Sequence, residues 1–571
     1  MIYHGNAPSQ GIAIGEILQY RPFVPRYTDT SVDETYTEDE LAHYQQALHA
    51  AETELTDLIH RMSSQHPEHS RILQAHLDIL QDVVMDEEIC TLIQSEHLCA
   101  AAAIDQVYST YAEILEASDN TLIAERGADM RDVRLRLLRC LEGETHPDLS
   151  SLPKPVILAA HDLLPSDTAT LDRDHVLAIV TETGGITSHS AIIARSYGIP
   201  ALLGVHGVMD CVQNGETVIV DAVRGLLITQ PDKTQIDTYA AQQAAMAKEM
   251  QDQLIYRDQP AYTKEGTHIQ VLANIASANE KELTCAPYVD GVGLFRTEFL
   301  YLGRETLPDE QTQYEQYRRV LEAFAPHPVT LRTLDIGGDK ELNCLQLPSE
   351  ENPFLGQRAL RLCLANEDLF LTQLRAVLRA SVHGKIKLMF PMVSSLDDFR
   401  RAKSLLDTAK SQLAQRGESW SDTLELGVMI EIPALAVLAD IIAKEVDFAS
   451  IGTNDLIQYT LAVDRVNDSI CDYYQPFHPA VLRLLRYAIS SFRRAGKAIS
   501  VCGELGGNPL AAAALLGMGI TSLSMGSSAV ASIKELICTL DMDQARNVVN
   551  QVCETAATAT EAEERLRTLF C

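Results

Sequence analysis

The chain has 571 residues, several times the roughly 150 expected of one domain, and its 46% hydrophobic and 22% charged residues describe a globular protein, not a disordered or fibrous one. Lys and Arg number 46 against 79 Asp and Glu, a net charge of −33 that repels phosphate backbones and anionic membranes. Nucleic acid is therefore not expected as a partner, whereas a basic protein, or a small anion held by a local arginine cluster, is compatible. The first residues, MIYHGNAPSQGIAIG, lack the basic and apolar regions of a signal peptide, and no run of 18 apolar residues occurs. A cytoplasmic protein without membrane insertion is expected, and its 12 scattered cysteines, with no CxxC pair, read as reduced thiols.

Residues 1–20 contain the strand-like run GIAIGEILQY, which RPFVP at 21–25 ends with two prolines. From Tyr27 to His60 there is no Lys or Arg, but there are nine acids (Asp29, Asp33, Glu34, Glu38, Asp39, Glu40, Glu52, Glu54, Asp57) on a helical pattern. Leu73, Leu77, Leu80 and Val84 then follow the 4, 3, 4 spacing of an amphipathic helix. Residues 21–144 are expected to form helical hairpins with an acidic face, which is either merely solvated or docks a basic partner. After HPDLSSLPKP come the strand-like runs PVILAA, HVLAIVTE, ALLGV, ETVIVDA and GLLITQ. These predict a compact α/β unit of residues 1–20 and 145–230, with the helical segment as an insertion. A polar, Ala/Gln-rich helix follows within a linker over 231–259.

From 260 to 571, eight strand-like runs alternate with helical stretches: HIQVLANI, GVGLFR, VTLRTLDIG, IKLMFPMV, ELGVMIEIP, FASIGTNDL, AISVCGEL and SLSMG. That pattern predicts a (β/α)₈ barrel, whose chemistry belongs at the C-terminal ends of the strands. Arg296, Arg332, Asp335, Glu431, Asn454, Asp455, Cys502 and Glu504 occupy such ends. So many polar groups at equivalent positions indicate a site, although a stability role for any one of them stays open.

A second constellation is TGGITSHSAIIARSYGIP, residues 183–200. Gly184 and Gly185 allow a tight turn, Thr187 or Ser188 can cap a helix beginning near His189, and Gly198 and Pro200 mark its end. A histidine at a helix N-terminus has free N–H groups and the positive dipole end beside it. These favour an anion and a neutral, nucleophilic ring, as a histidine that accepts and releases a phosphoryl group requires.

GGITSHS at 184–190 resembles the phosphohistidine motif of enzyme I of the bacterial sugar phosphotransferase system, phosphoenolpyruvate synthase and pyruvate phosphate dikinase. GLFRTEFLY, RTLDIGGDKEL, ENPFLGQRALR, LMFPMV, GVMIEIP, SIGTNDLIQYTLAVDR and VCGEL resemble, in that order, the signatures of the enzyme I family, and SDNTLIAERGADMRDVRLRLL extends the likeness into the helical insertion. The resemblance implies a swivelling phosphohistidine α/β domain with an inserted helical domain that binds the phosphocarrier protein HPr, followed by a phosphoenolpyruvate-binding (β/α)₈ barrel. A dikinase or synthase would need a nucleotide-binding domain as well, and neither a P-loop nor room for one is present. A regulatory paralogue that had lost the chemistry would lack catalytic residues that this chain keeps.

On that likeness phosphoenolpyruvate phosphorylates His189, which passes the group to HPr or a relative. A substrate with phosphate and carboxylate needs several cations, and the planar fork of Arg matches both groups. Arg296, Arg332 and Arg465 lie in matching motifs, with Arg358 of FLGQR as a fourth candidate and Asn454 and Asp455 beside them. Glu431 and Asp455 offer hard oxygen ligands for Mg²⁺, and for each of these charged residues a surface salt bridge is the plainer alternative. Cys502, by position an ordinary core residue, is implied by the family to be the acid that protonates the enolate of pyruvate. Homodimerisation through the barrel is implied as well. Two departures bear on carrier choice or rate: Ile186 and Gln357 stand where the family often has Arg and Trp.

Overall fold

The run Val156–Ala160 is buried at every residue, a state a strand reaches only in a sheet covered on both faces. A computed structural model describes residues 1–21, 23, 25–27, 30–63, 67–117, 121–143, 149, 152–163, 171–184, 189–302, 304, 306–337, 344–345, 350–465 and 467–570. It divides the chain into two compact units, Met1–Ala247 and Lys248–Cys571.

In the first unit, strands β1 (Ile2–His4), β2 (Asn6–Ser9), β3 (Ile12–Tyr20), β4 (Val156–Ala160), β5 (Val176–Thr181), β6 (Ala201–Leu203), β7 (Thr217–Asp221) and β8 (Leu226–Thr229) form one sheet in the order β1-β8-β7-β3-β4-β5-β6-β2. β3, β4, β5 and β6 are parallel, whereas β7 pairs antiparallel with β3 and β8. Residues 12–20 thus lie in register with 156–160, although more than a hundred residues separate them. The runs at 2–4 and 6–9 are strands in addition to the expected one within GIAIGEILQY.

Between β3 and β4 come five helices, α1 (Thr37–Ser63), α2 (Pro67–Leu80), α3 (Val83–Glu96), α4 (Ala100–Glu116) and α5 (Thr121–Glu142). Their shared core includes Tyr44, Leu55, Leu73, Ile89, Ile93, Ile104, Val107, Val133 and Leu137. The acidic run is partly consumed within this bundle: Glu54 pairs with Arg136 and Arg139 of α5, and Glu40 accepts the Ala100 N–H at the start of α4.

One expectation fails here. Val84 does not continue the stripe of Leu73, Leu77 and Leu80, because the Asp82 carboxylate accepts the N–H groups of Val84 and Met85 and begins a new helix, leaving Val84 63% exposed. The helix α6 (His189–Tyr197) follows β5. Its expected caps Thr187 and Ser188, and Ile186, lie outside the described residues.

Helix α7 (Lys233–Arg257) leads into the second unit. There β9 (Gln270–Ile275), β10 (Val292–Arg296), β11 (Val329–Arg332), β12 (Ile386–Phe390), β13 (Glu425–Ile430), β14 (Phe448–Ile451), β15 (Ala498–Val501) and β16 (Ser522–Met525) close into a barrel. Every pairing is parallel, including β16 with β9. Leu294, Met389, Met429, Phe448 and Cys502 fill the lumen as a cluster of their own. The facing residues of the wall belong to the larger core shared with the surrounding helices, for example Phe390 against Phe370 and Phe399. No described helix is long and apolar enough to cross a membrane.

The break at Asp82 makes a prediction. Leu73→Ala, at a fully buried site, should lower the stability of the helical bundle by about 2–5 kcal/mol, while Val84→Ser should stay within about 0.5 kcal/mol of the parent. Urea unfolding of the two variants, followed by circular dichroism, checks the contrast.

Candidate active site

Two places hold the residues singled out by the sequence, one in each unit. In the first, β5 delivers the chain through Thr181 to Gly184, which takes a left-handed φ of 101° before α6 begins at His189. The backbone at His189 is therefore the start of a nine-residue helix, whose dipole favours an anion at that end.

The second place is the C-terminal mouth of the barrel. Arg296 and Arg332 end β10 and β11, Glu431 and Cys502 immediately follow β13 and β15, and Asn454 and Asp455 open the helix after β14. Strand register alone brings these residues to one rim.

Charges of alternating sign run across that rim. Glu298 Oε1 accepts from Arg332 Nη2 at 2.5 Å, and Arg332 Nη1 lies 2.9 Å from Asp335 Oδ2. Asp335 Oδ1 in turn accepts from Arg358 Nε at 3.0 Å, and Arg358 reaches Asp455 through Nη1 and Nη2 at 3.0 and 3.3 Å. Arg465 Nη1 stands 3.8 Å from the same Asp455 oxygen. Arg358 is 2% exposed, which rules out a surface ion pair for it. Burial alone would depress both Arg332 and Arg358, but Asp335 together with Glu298 at Arg332, and with Asp455 at Arg358, outweighs it, and both stay firmly protonated. Arg296 is half-buried and makes no ion pair with any described residue.

Glu431 differs from its neighbours. It is fully buried, and that burial, with the carboxylates of Asp455 and Asp335 adding to it, pushes its carboxyl up to about 8. Its Oε1 accepts the N–H of Met392, a residue held at φ 51°, and its Oε2 has no hydrogen-bond partner among the described residues. Gly452 leaves room beside that oxygen, since a Cβ there would come within 3.0 Å of it. Among the described residues no cluster of three metal-ligating side chains occurs. The orphaned oxygen and the adjacent space still fit a hard cation that takes its other ligands from substrate and water.

Beneath the rim, Cys502 is 1% exposed among Leu294, Met389, Met429 and Phe448, with its Sγ 3.6 Å from the Ile451 carbonyl. Burial pushes its thiol up to about 11, against smaller opposing effects of Ser450 and Arg332. Asn454 exchanges hydrogen bonds with Glu504, its amide donating to the Glu504 carboxylate and its Oδ1 accepting the Glu504 N–H, each at 3.1 Å.

The barrel rim therefore gathers Arg332, Arg358, Asp455 and Arg465 into one chain with Glu431, Asn454 and Cys502 around it, while His189 belongs to the other unit. Sequence reasoning passed over Glu298. Its signal was a carboxylate inside the otherwise apolar stretch after β10, where it is now wholly buried against Arg332.

Three family models match in order along the chain: PEP-utilising enzyme, N-terminal, at residues 4–126; its mobile domain at 152–225; and its PEP-binding domain at 250–542. The phosphoenolpyruvate-protein phosphotransferase of Bacillus sp. (strain S) is 42% identical over 562 residues, covering 98% of this chain and 96% of its own. That of Staphylococcus aureus is 41% identical over 554 residues, covering 97% and 96%. An NMR solution structure of an enzyme I protein, 33% identical, covers 43% of this chain and 99% of its own with a TM-score of 0.41. With PEP-utilising domains along its length and relatives this similar end to end, the chain belongs to the phosphoenolpyruvate-protein phosphotransferase family of enzymes.

Proposed function

We propose that the chain moves the phosphoryl group of phosphoenolpyruvate to His189 and from there to a histidine of the phosphocarrier HPr, releasing pyruvate, as the first step of a sugar phosphotransferase system in the cytoplasm. The observation that carries this reading is the buried guanidinium pair Arg332 and Arg358 at the barrel mouth, flanked by Arg296 and Arg465. Several guanidiniums gathered at one rim suit a small molecule bearing both phosphate and carboxylate.

In this reading the arginines and Asn454 bind and orient phosphoenolpyruvate and spread the negative charge of a loose, in-line transition state. Glu431 and Asp455 would hold Mg²⁺, which when bound supplies a Lewis acid for the phosphoryl oxygens. His189, at the head of α6, takes the phosphoryl group. Because its helix and the rim belong to separate units, residues 1–20 and 145–230 act as a mobile carrier and the linker 231–259 as its tether. The Cys502 thiol, protonated at any pH well below about 11, gives its proton to the enolate carbon. The helical segment 21–144 serves as the docking domain for HPr, and pairing through the barrel makes the working form a dimer. Pyruvate release from phosphoenolpyruvate that needs a carrier and no nucleotide is the experiment that tests the whole reading.

Three outcomes are expected of variants. His189→Ala should abolish labelling of the protein from ³²P-phosphoenolpyruvate as an acid-labile, nitrogen-linked phosphate, while equilibrium binding of phosphoenolpyruvate stays within a few-fold of the parent. The double variant Glu431→Ala, Asp455→Ala should lose transfer at every Mg²⁺ concentration and also the Mn²⁺ binding detected by electron paramagnetic resonance.

Cys502→Ser keeps the volume but replaces the thiol with a far weaker acid. Pyruvate formation should slow by about 10²–10⁴-fold and lose stereospecific deuterium uptake from D₂O, with His189 phosphorylation in a single turnover surviving in part. In the parent, no loss of protonation rate ascribable to thiol ionisation should appear between pH 6 and 9. A cysteine at the ordinary value of about 8.5 would already be half ionised within that range.

A further inference from the structure

Asp335, three residues beyond β11 and 1% exposed, touches both buried guanidiniums with one carboxylate. Its Oδ2 lies 2.9 Å from Arg332 Nη1 and accepts from Arg358 Nη2 at 3.3 Å, while its Oδ1 accepts from Arg358 Nε at 3.0 Å. Arg358 is thus gripped along its Nε–Nη2 edge, the geometry that fixes both the distance and the roll of a guanidinium plane.

The backbone that carries Asp335 is pinned on both sides. On one, the Leu334 N–H donates to Gln373 Oε1 at 2.9 Å. The same Gln373 side chain donates to Thr297 Oγ1, whose hydroxyl donates to the Arg332 carbonyl at 2.8 Å. On the other side, the Ile336 carbonyl accepts the Ala359 N–H at 2.9 Å. Gly337, at φ +104°, lets the second loop close in, since a Cβ there would meet the Gln357 carbonyl at 2.7 Å and the Arg358 Cα at 3.0 Å. Ala359, next to Arg358, is held at φ 52° and ψ −120°, a conformation costly for any residue but glycine.

A rim selected only for affinity toward an anion would not contain this carboxylate. Each contact from Asp335 cancels positive charge that phosphate or carboxylate of the substrate would otherwise meet, and burying the carboxylate is itself unfavourable. What Asp335 supplies in exchange is placement. We propose that Asp335 is a positioning residue for phosphoryl transfer, holding Arg332 and Arg358 at one separation and orientation at the expense of substrate affinity. The inference rests on the phosphoenolpyruvate reading given above.

The test uses full-length protein with phosphoenolpyruvate, Mg²⁺ and HPr, comparing the parent with Asp335→Asn and Asp335→Glu. Asp335→Asn keeps the shape but removes the charge and turns one of the two accepting oxygens, both of which face the arginines, into an NH₂ donor. Asp335→Glu keeps the charge but displaces it by one methylene. Single-turnover phosphorylation of His189 should fall by about 10²-fold in Asp335→Asn, the size of effect that a misplacement near 1 Å produces. It should fall at least tenfold in Asp335→Glu, with KM for phosphoenolpyruvate unchanged or lower in Asp335→Asn.

A parent-like rate in either variant overturns the proposal, as does a loss confined to KM. Failure of both variants to fold, seen by thermal denaturation, also overturns it by assigning Asp335 to stability alone. A parent protein that is not labelled from phosphoenolpyruvate fails the underlying reading instead, so the two failures are distinct.

Discussion

The barrel mouth depends on one constraint: a guanidinium taken out of water must find carboxylates on more than one side. Desolvating each ion costs several kcal/mol, and only close, correctly oriented partners offset it. Arg332 between Glu298 and Asp335, and Arg358 between Asp335 and Asp455, satisfy that condition by sharing the middle carboxylate. The arrangement has no isolated element. Each charge is tolerable because its neighbours are in place, and the neighbours come from loops after different strands, so closure of the barrel and assembly of the site are one event. The same alternation keeps the rim's arginines from repelling each other before any substrate anion arrives.

Burial alone does not distinguish the candidate reactive groups here from their neighbours. Cys363 is buried as completely as Cys502, and its thiol is pushed up to about 12. It faces the Leu334 carbonyl, and among the described residues Asp335 is the one charge acting on it. Cys502 has Ser450 and the guanidiniums of Arg332 and Arg296 acting on it. Both are protonated thiols at neutral pH, and among the described residues guanidiniums act on Cys502 alone of the two. Glu431 and Asp455 divide in a similar way. Asp455 is gripped by Arg358 and approached by Arg465, whereas Glu431 has a backbone N–H on one oxygen and, among the described residues, no hydrogen-bond partner on the other.

Much of this was legible beforehand because strand ends in a parallel barrel are a one-dimensional code: the first polar residue after an apolar run marks the rim. Arg296, Arg332, Glu431, Asp455 and Cys502 were found that way. Arg358 sits on no strand end, and only the fold shows that a loop carries it back over Asp335 and Asp455. Glu298 was hidden by its setting, since a carboxylate among Phe, Leu and Tyr reads as a surface residue until the partner that neutralises it is known. Val84 failed for a different reason. Its spacing matched the stripe, but a capping carboxylate at Asp82 outranks hydrophobic periodicity by ending the helix on which that periodicity is counted.

Two residues that carry no charge at all set a limit on how this scaffold can change. Ala359 and Met392 sit at φ 52° and 51°, one next to Arg358 and the other donating to Glu431. Each left-handed non-glycine residue of this kind stores roughly 1–3 kcal/mol. A search for heat-tolerant forms would therefore be drawn to glycine at both positions, relaxing the backbone at the points where a guanidinium and a carboxyl are aimed. In this barrel, tolerance to temperature and sharpness of aim pull against each other at two side chains that no inventory of polar groups would include.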